Sequence, residues 1–225
     1  MSKFAMQYAQ VLQQITQACQ TSARVVSDVH LLAVSKTRPA TEIEQLYQQG
    51  QRAFGENYLQ EAIVKIQQLA HLDIEWHFIG HVQRNKTKQL AENFAWVHGV
   101  DRLIIAERLS SQRLTGLAPL NICLQVNIDG QDSKDGCAPD VVADLVAQIS
   151  RLPNLCLRGL MVIPAPNNTD AFADAQRLFE QVRSKHAKPD EWDTLSMGMS
   201  ADLEAAICAG ATIVRVGTAL FGARH

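Results

Sequence analysis

The chain has no apolar run near the roughly 18 residues needed to cross a bilayer. Its N-terminus, MSKFAMQYAQVLQQITQACQ, lacks the apolar block of a secretory leader. Cysteine is sparse: five residues, at 19, 123, 137, 156 and 208, scattered and never in a CxxC pair. That pattern excludes a disulfide framework and a zinc site, so no metal is expected, and it suits a reducing, cytoplasmic setting. Net charge is also low, −2 over 225 residues, which leaves no electrostatic footprint for nucleic acid or an anionic membrane. No GxGxxG follows the first strand-like segment, which weakens an open dinucleotide-binding sheet. There is no linker, low-complexity tract or long charge run, so residues 1–225 are expected to form a single domain.

What is present is ordinary for a globular core, with 47% apolar and 20% charged residues. Residues 1–28 read as a helical segment packed on the body, because Phe4, Tyr8, Val11, Leu12, Ile15 and Cys19 fall at helical spacing. From residue 30 onward, strand-like and helix-like segments alternate. The strands are expected at 30–36, 52–57, 74–80, 95–100, 121–128, 157–164, 194–198 and 212–222. Helical stripes such as Phe172, Ala175, Leu178, Phe179 and Val182 lie between them. Thr41 to Glu44, TEIE, has the form of a capping box, and Gly50 and Gly210 stand where helix C-caps are expected. Alternating elements with strands apolar on both faces predict parallel pairing, and eight such units predict a closed (β/α)8 TIM barrel. An open doubly wound sheet is the alternative.

In such a barrel, function sits where strands end. The first strand, HLLAVSK, ends in Lys36, on the same side as Leu32 and Val34. If that side faces the lumen, Lys36 stands at the functional mouth. A desolvated lysine there is a nucleophilic amine suited to Schiff-base formation; an exposed rim lysine is the plainer reading. The segment SMGMSADLEAA places Ser200 after strand seven and RVGTALFG places Gly217 and Thr218 at the end of strand eight, where barrels frequently bind phosphate. Ser200 as a simple helix cap, and the glycines as simple turns, are the alternatives. Arg215, two residues before Gly217, points to the same side. It either pairs with an acid such as Glu56 or donates to a cofactor ring. A phosphate pocket with a reactive lysine suggests a phosphorylated carbonyl substrate or pyridoxal 5′-phosphate (PLP).

The segments AVSKTRP, FGENYLQE, WHFIGHVQRNK, QVNIDGQDSKDG, RGLMVIP, LSMGMSADLEAAI and VRVGTALFGAR occur in this order from about residue 30 to 224. Together they resemble the pyridoxal phosphate homeostasis proteins (the YggS/PLPBP group), similar in turn to the N-terminal barrel of alanine racemase without its second, β-rich domain. The resemblance implies PLP as cofactor, carried as an aldimine on Lys36. It implies that Ser200, Gly217 and Thr218 cradle the phosphate, that Arg215 faces the pyridine nitrogen, and that Asn57, His77 and Met161 line the pocket. For His77 a hydrogen-bonded core histidine is the alternative. Lys134 matches a second lysine thought to act in cofactor transfer or secondary binding. His81, Val82 and Gln131 depart from the family pattern, and Gln131 removes a charge beside Lys134. The implied role is a cytoplasmic, monomeric PLP carrier in homeostasis of PLP and of amino and keto acids. It has no catalytic residue or established turnover, and PLP-dependent apo-enzymes are its possible recipients. A free-standing amino-acid racemase and a Schiff-base aldolase are the alternatives.

Overall fold

The computed structural model describes residues 3–131, 134–166 and 168–223. Asp132 and Ser133 of the DSKDG stretch, and Arg224 of the last motif, lie outside the described residues. Among the described residues, eight parallel strands close into a barrel in chain order. They are β1 (His30–Val34), β2 (Ala53–Glu56), β3 (Glu75–Phe78), β4 (Trp96–Val100), β5 (Leu120–Val126), β6 (Leu155–Val162), β7 (Thr194–Ser196) and β8 (Ile213–Val216), the last pairing back onto β1. Helix α1 (Lys3–Thr21) precedes them. Between and after the strands come α2 (Ala40–Gln48), α3 (Leu59–Gln68), α4 (Thr87–Asn93), α5 (Leu103–Gln112), α6 (Val142–Ile149), α7 (Asp170–Val182), α8 (Leu203–Cys208) and α9 (Thr218–Phe221). This is the (β/α)8 architecture.

Alternation along each strand divides the core in two. Outward residues such as Leu31, Ala33, Phe54, Trp76, Phe78 and Val97 pack under the helices, while Leu32, Ile79, Trp96, Cys123, Met161 and Ile213 form a separate cluster in the lumen. On the helix side, α7 buries Phe172, Ala175, Phe179 and Val182 along one stripe, and each large side chain so buried contributes about 1.5–3 kcal/mol. Helix α1 buries Phe4, Val11, Ile15, Ala18 and Cys19 and lies against α8 and α9. The rings of Phe4 and Phe221 meet edge-on at 6.1 Å. Leu12, expected on that buried face, is 39% exposed.

Several boundaries differ from the sequence expectation. The eighth strand stops at Val216, and Thr218–Phe221 is a helical turn rather than more strand. A four-residue stretch, TALF, is too short to carry a period that separates the two, and Gly217 turns the chain off the barrel. The TEIE stretch is not a capping box. Pro39 occupies the N-cap position at φ −69°, so Thr41 lies inside α2 and no side chain caps it; a proline's fixed φ and missing N–H suit a helix start. Gly50 and Gly210 do close α2 and α8, at φ 108° and 98°, a left-handed conformation that glycine adopts without strain.

Candidate functional site

A pocket of about 280 Å³ opens at the C-terminal mouth of the barrel. Its walls come from the ends of six strands and the chain just beyond them: Val34 at the end of β1 with Lys36 and Arg38 after it, Asn57 after β2, Ile79 after β3, Ile163 after β6, Met199, Ser200 and Ala201 after β7, and Arg215, Gly217 and Thr218 at and beyond the end of β8. Six expected residues thus meet in one cavity: Lys36, Asn57, Ser200, Arg215, Gly217 and Thr218.

Lys36 lies two residues beyond β1, half-buried, and a buried ionic cluster fixes the backbone around it. Ser35, fully buried, donates its hydroxyl to Glu56 Oε1 at 2.6 Å. Lys65 of α3 donates to the same oxygen at 2.7 Å, to the Ser35 carbonyl at 2.7 Å, and to Glu61. Glu61 in turn accepts the Thr37 N–H at 2.6 Å, holding Thr37 at φ 64°. Burial pushes the Glu56 carboxyl above its ordinary range, while Lys65 and Ser35 pull it back. The lysine at the strand tip is therefore flanked on both sides by groups clamped to α3. Arg38 is pinned across the pocket rim, its Nη2 donating to the carbonyls of Gly222 and Ala223.

Arg215 is 4% exposed. It does not pair with Glu56, whose partners are Ser35 and Lys65. Its Nη1 donates to Ser196 Oγ at 2.9 Å and its Nη2 to the Val162 carbonyl at 2.9 Å, and among the described residues no carboxylate forms an ion pair with it. Burial lowers its pKa to about 10, so it stays cationic at neutral pH. Ser200 is not a helix cap: α8 begins at Leu203, and the turn before it is closed by Asp202, whose Oδ1 accepts the Met199 N–H at 2.6 Å. The Ser200 hydroxyl is thereby left on the pocket wall. A Cβ at Gly217 would stand 3.3 Å from the Val34 carbonyl oxygen, so glycine keeps this wall open.

Two expected residues lie below the pocket. His77 and Met161 do face the lumen, but His77 is bonded to Glu75 and His98 and borders a basin at the opposite end of the barrel. Met161 is fully buried in the lumen cluster. Alternation fixes which face a side chain takes but not its height, and residues two positions on, Ile79 and Ile163, form the pocket wall instead. Lys134 does not line the pocket. It donates to the Ile163 carbonyl at 2.9 Å and to Asp129 at 3.1 Å, so Asp129 supplies the acidic neighbour that Gln131 lacks. His81, another departure, pairs with Asp135 at 3.1 Å. Sequence reasoning missed Arg38 and the Glu56–Lys65 pair. The KTRP stretch carried the first; a lysine facing into the barrel wall from an amphipathic helix was the only trace of the second.

Known proteins place this geometry. Residues 11–225 match the family described as "Alanine racemase, N-terminal domain". A protein of Pseudomonas aeruginosa named "Pyridoxal phosphate homeostasis protein" is 54% identical over 226 residues, covering 100% of this chain and 97% of that one. One of the same name from Pasteurella multocida is 52% identical, covering 96% and 95%. The structure of PipY from Synechococcus elongatus with PLP bound superposes at a TM-score of 0.73 and 38% identity, over 93% of this chain and 100% of that one. The chain therefore belongs to the alanine racemase N-terminal domain family and, within it, to the pyridoxal phosphate homeostasis proteins.

Proposed function

We propose that this protein is a cytoplasmic, monomeric PLP carrier, a single domain that binds the cofactor covalently through Lys36 and serves homeostasis of PLP and of amino and keto acids without catalytic turnover. The observation that carries the reading is the mouth pocket, where the only titratable side chains among the described lining residues, Lys36, Arg38 and Arg215, are all basic. Such a lining suits an anionic phosphate ester and an aldehyde. The Oδ1 of Asn57 is buried with no hydrogen-bond partner, an orphaned acceptor on the pocket wall that a ligand hydroxyl would satisfy. The relative with PLP bound supports the same ligand.

In this reading PLP supplies an electrophilic aldehyde and an electron-withdrawing ring. Lys36 would hold the aldehyde carbon, Ser200 and Thr218 would donate their hydroxyls to the phosphate, and Gly217 would let the backbone come close. Arg215 is a donor only and stays protonated, so it would leave a ring nitrogen that it faced without a proton, which would weaken the ring as an electron sink. No carboxylate, histidine or tyrosine lines the pocket among the described residues to serve as a second acid or base. Tyr58, which follows Asn57, is 54% exposed and outside the lining. Lys134, which bonds the carbonyl of the lining residue Ile163, would be the residue to serve secondary binding or transfer of the cofactor. The test is α-proton exchange of L-alanine and L-serine in deuterated water with chiral analysis. Exchange far below ordinary turnover, roughly 1–10³ per second, is expected; exchange and racemisation at those rates would overturn the carrier reading in favour of a racemase.

A further inference from the structure

A continuous line of polar side chains runs through the otherwise apolar lumen. Arg215 Nη1 lies 2.9 Å from Ser196 Oγ, Ser196 Oγ 3.0 Å from His98 Nδ1, His98 Nε2 2.9 Å from His77 Nδ1, and His77 Nε2 2.8 Å from Glu75 Oε1. The strands explain the alignment: β8, β7 and β4 each turn one of these side chains inward, β3 turns two, His77 and Glu75, and the pleat sets them at successive heights. Ser196 and His98 are fully buried, and His77 is 2% exposed. Trp96 stacks on His77 at 5.2 Å and 7°, excluding water from one ring face. At the lower end the Glu75 side chain is half-exposed. It borders a basin of about 860 Å³ on the N-terminal face of the barrel, with His30, Arg52, Arg158 and Asp193 around it.

The ends of this line fix its direction. Arginine can only donate, and an ionised carboxylate can only accept. The bond from His77 holds the Glu75 carboxyl below its ordinary range, so it is ionised at neutral pH. Burial keeps both imidazoles neutral, and Arg215 opposes a charge on His98. With two neutral rings, one arrangement satisfies every group. Arg215 donates to Ser196, Ser196 donates to His98 Nδ1, His98 donates from Nε2 to His77 Nδ1, and His77 donates from Nε2 to Glu75. Reversing any middle link sets two acceptors or two donors face to face, at the cost of an unsatisfied buried group.

We propose that Ser196, His98, His77 and Glu75 are positioning residues, a one-way hydrogen-bond chain that orients the Arg215 guanidinium and makes its donation to the cofactor ring depend on a carboxylate at the far end of the barrel. The inference rests on the reading that Arg215 faces that ring. Hydrogen bonds in series polarise one another, and a charged terminus strengthens each link. The basin thereby gives the solvent a route to the electronics of a site it does not touch.

The first test is the tautomer of both rings by long-range proton–nitrogen correlation NMR on uniformly ¹⁵N-labelled, cofactor-free protein at neutral pH. Both histidines are expected protonated on Nε2 alone. Glu75→Gln replaces a pure acceptor with a group that can also donate, so the direction is released and the nitrogen signals of His98, which does not touch residue 75, move together with those of His77. His98 protonated on Nδ1 in the wild type, or His98 signals unmoved in E75Q, would overturn the chain. The second test uses PLP-loaded protein. Ser196→Ala is expected to shift the visible band of the bound cofactor and weaken its retention about three- to tenfold. Ser196→Thr, which keeps a hydroxyl, restores both. Asp28→Asn removes a charge from the same basin without touching the chain and changes neither. S196A indistinguishable from wild type would overturn the positioning role. Wild-type protein that holds no PLP would overturn the carrier reading and leave the tautomer result standing.

Discussion

Lys65→Met is the sharpest probe of how the Lys36 segment is held. The lysine is 4% exposed and the Glu56 carboxylate it bonds is fully buried, while Glu56 Oε2 has no partner. Met matches the aliphatic length of lysine but leaves Glu56 a buried, uncompensated charge, which costs about 3–5 kcal/mol. Protonating Glu56 sets the limit: from its ordinary value of 4.5 to pH 7 the work is about 3.4 kcal/mol, at about 1.36 kcal/mol per pH unit. At pH 5.5 the same step costs about 1.4 kcal/mol. The sign follows from linkage. Losing Lys65 raises the folded-state pKa of Glu56 further than burial does in the wild type, so above pH 4.5 the folded variant keeps a proton that its unfolded chain lacks, and its stability falls more steeply as pH rises. Urea unfolding of wild type and K65M at pH 7.0 and 5.5 measures the difference, which is expected to reach at most about 3.4 kcal/mol at pH 7.0 and at most about 1.4 kcal/mol at pH 5.5, because burial already raises Glu56 in the wild type. The double variant Glu56→Gln, Lys65→Met should recover most of the loss at pH 7 and lose the pH dependence. A K65M cost below about 1 kcal/mol at pH 7, or one that does not change with pH, would refute the buried-pair argument.

Two further outcomes follow from the mouth and the lumen. The double change Ser200→Ala, Thr218→Val removes hydroxyl donors to a phosphate, each charge-assisted bond worth about 1.5–3 kcal/mol; PLP retention measured by equilibrium dialysis should fall at least about tenfold while retention of pyridoxal barely changes, and equal loss of both would show the phosphate cradle to be misplaced. His98, which faces His77, Ser196, Arg215 and Trp96, has its folded-state pKa pushed well down by burial. The unfolded chain therefore takes up a proton near pH 6.5 that the folded chain refuses, and stability declines below that pH by up to about 1.4 kcal/mol per pH unit. Denaturant midpoints between pH 7 and 5 should fall less steeply in His98→Gln than in wild type, and equal slopes would contradict a neutral buried ring.

The strand order and the mouth residues were legible because alternation and the helical period are local signals. Leu32, Val34 and Lys36 share a side in the sequence as they do in the barrel, and Gly217 and Thr218 reach the mouth at the end of the eighth strand segment as expected. Height along the barrel axis is not a local signal. Hence His77 and Met161 were placed on the correct face but one layer too high, and Ile79 and Ile163 were overlooked. The Glu56–Lys65 pair and the Arg215–Ser196 bond join residues from different elements, so nothing in either segment alone shows them. Strand ends were overrun where turn residues are apolar, as in TALF, and the proline start of α2 outweighed the capping pattern that follows it.

The central claim is that Lys36 holds the cofactor covalently. Protein loaded with PLP, reduced with borohydride and digested with trypsin, tests it directly by mass spectrometric mapping of the stable pyridoxyl adduct. The adduct is expected on the peptide containing Lys36, with cleavage after that residue blocked. An adduct found mainly on Lys134 or Lys86, with Lys36 unmodified, would contradict the account.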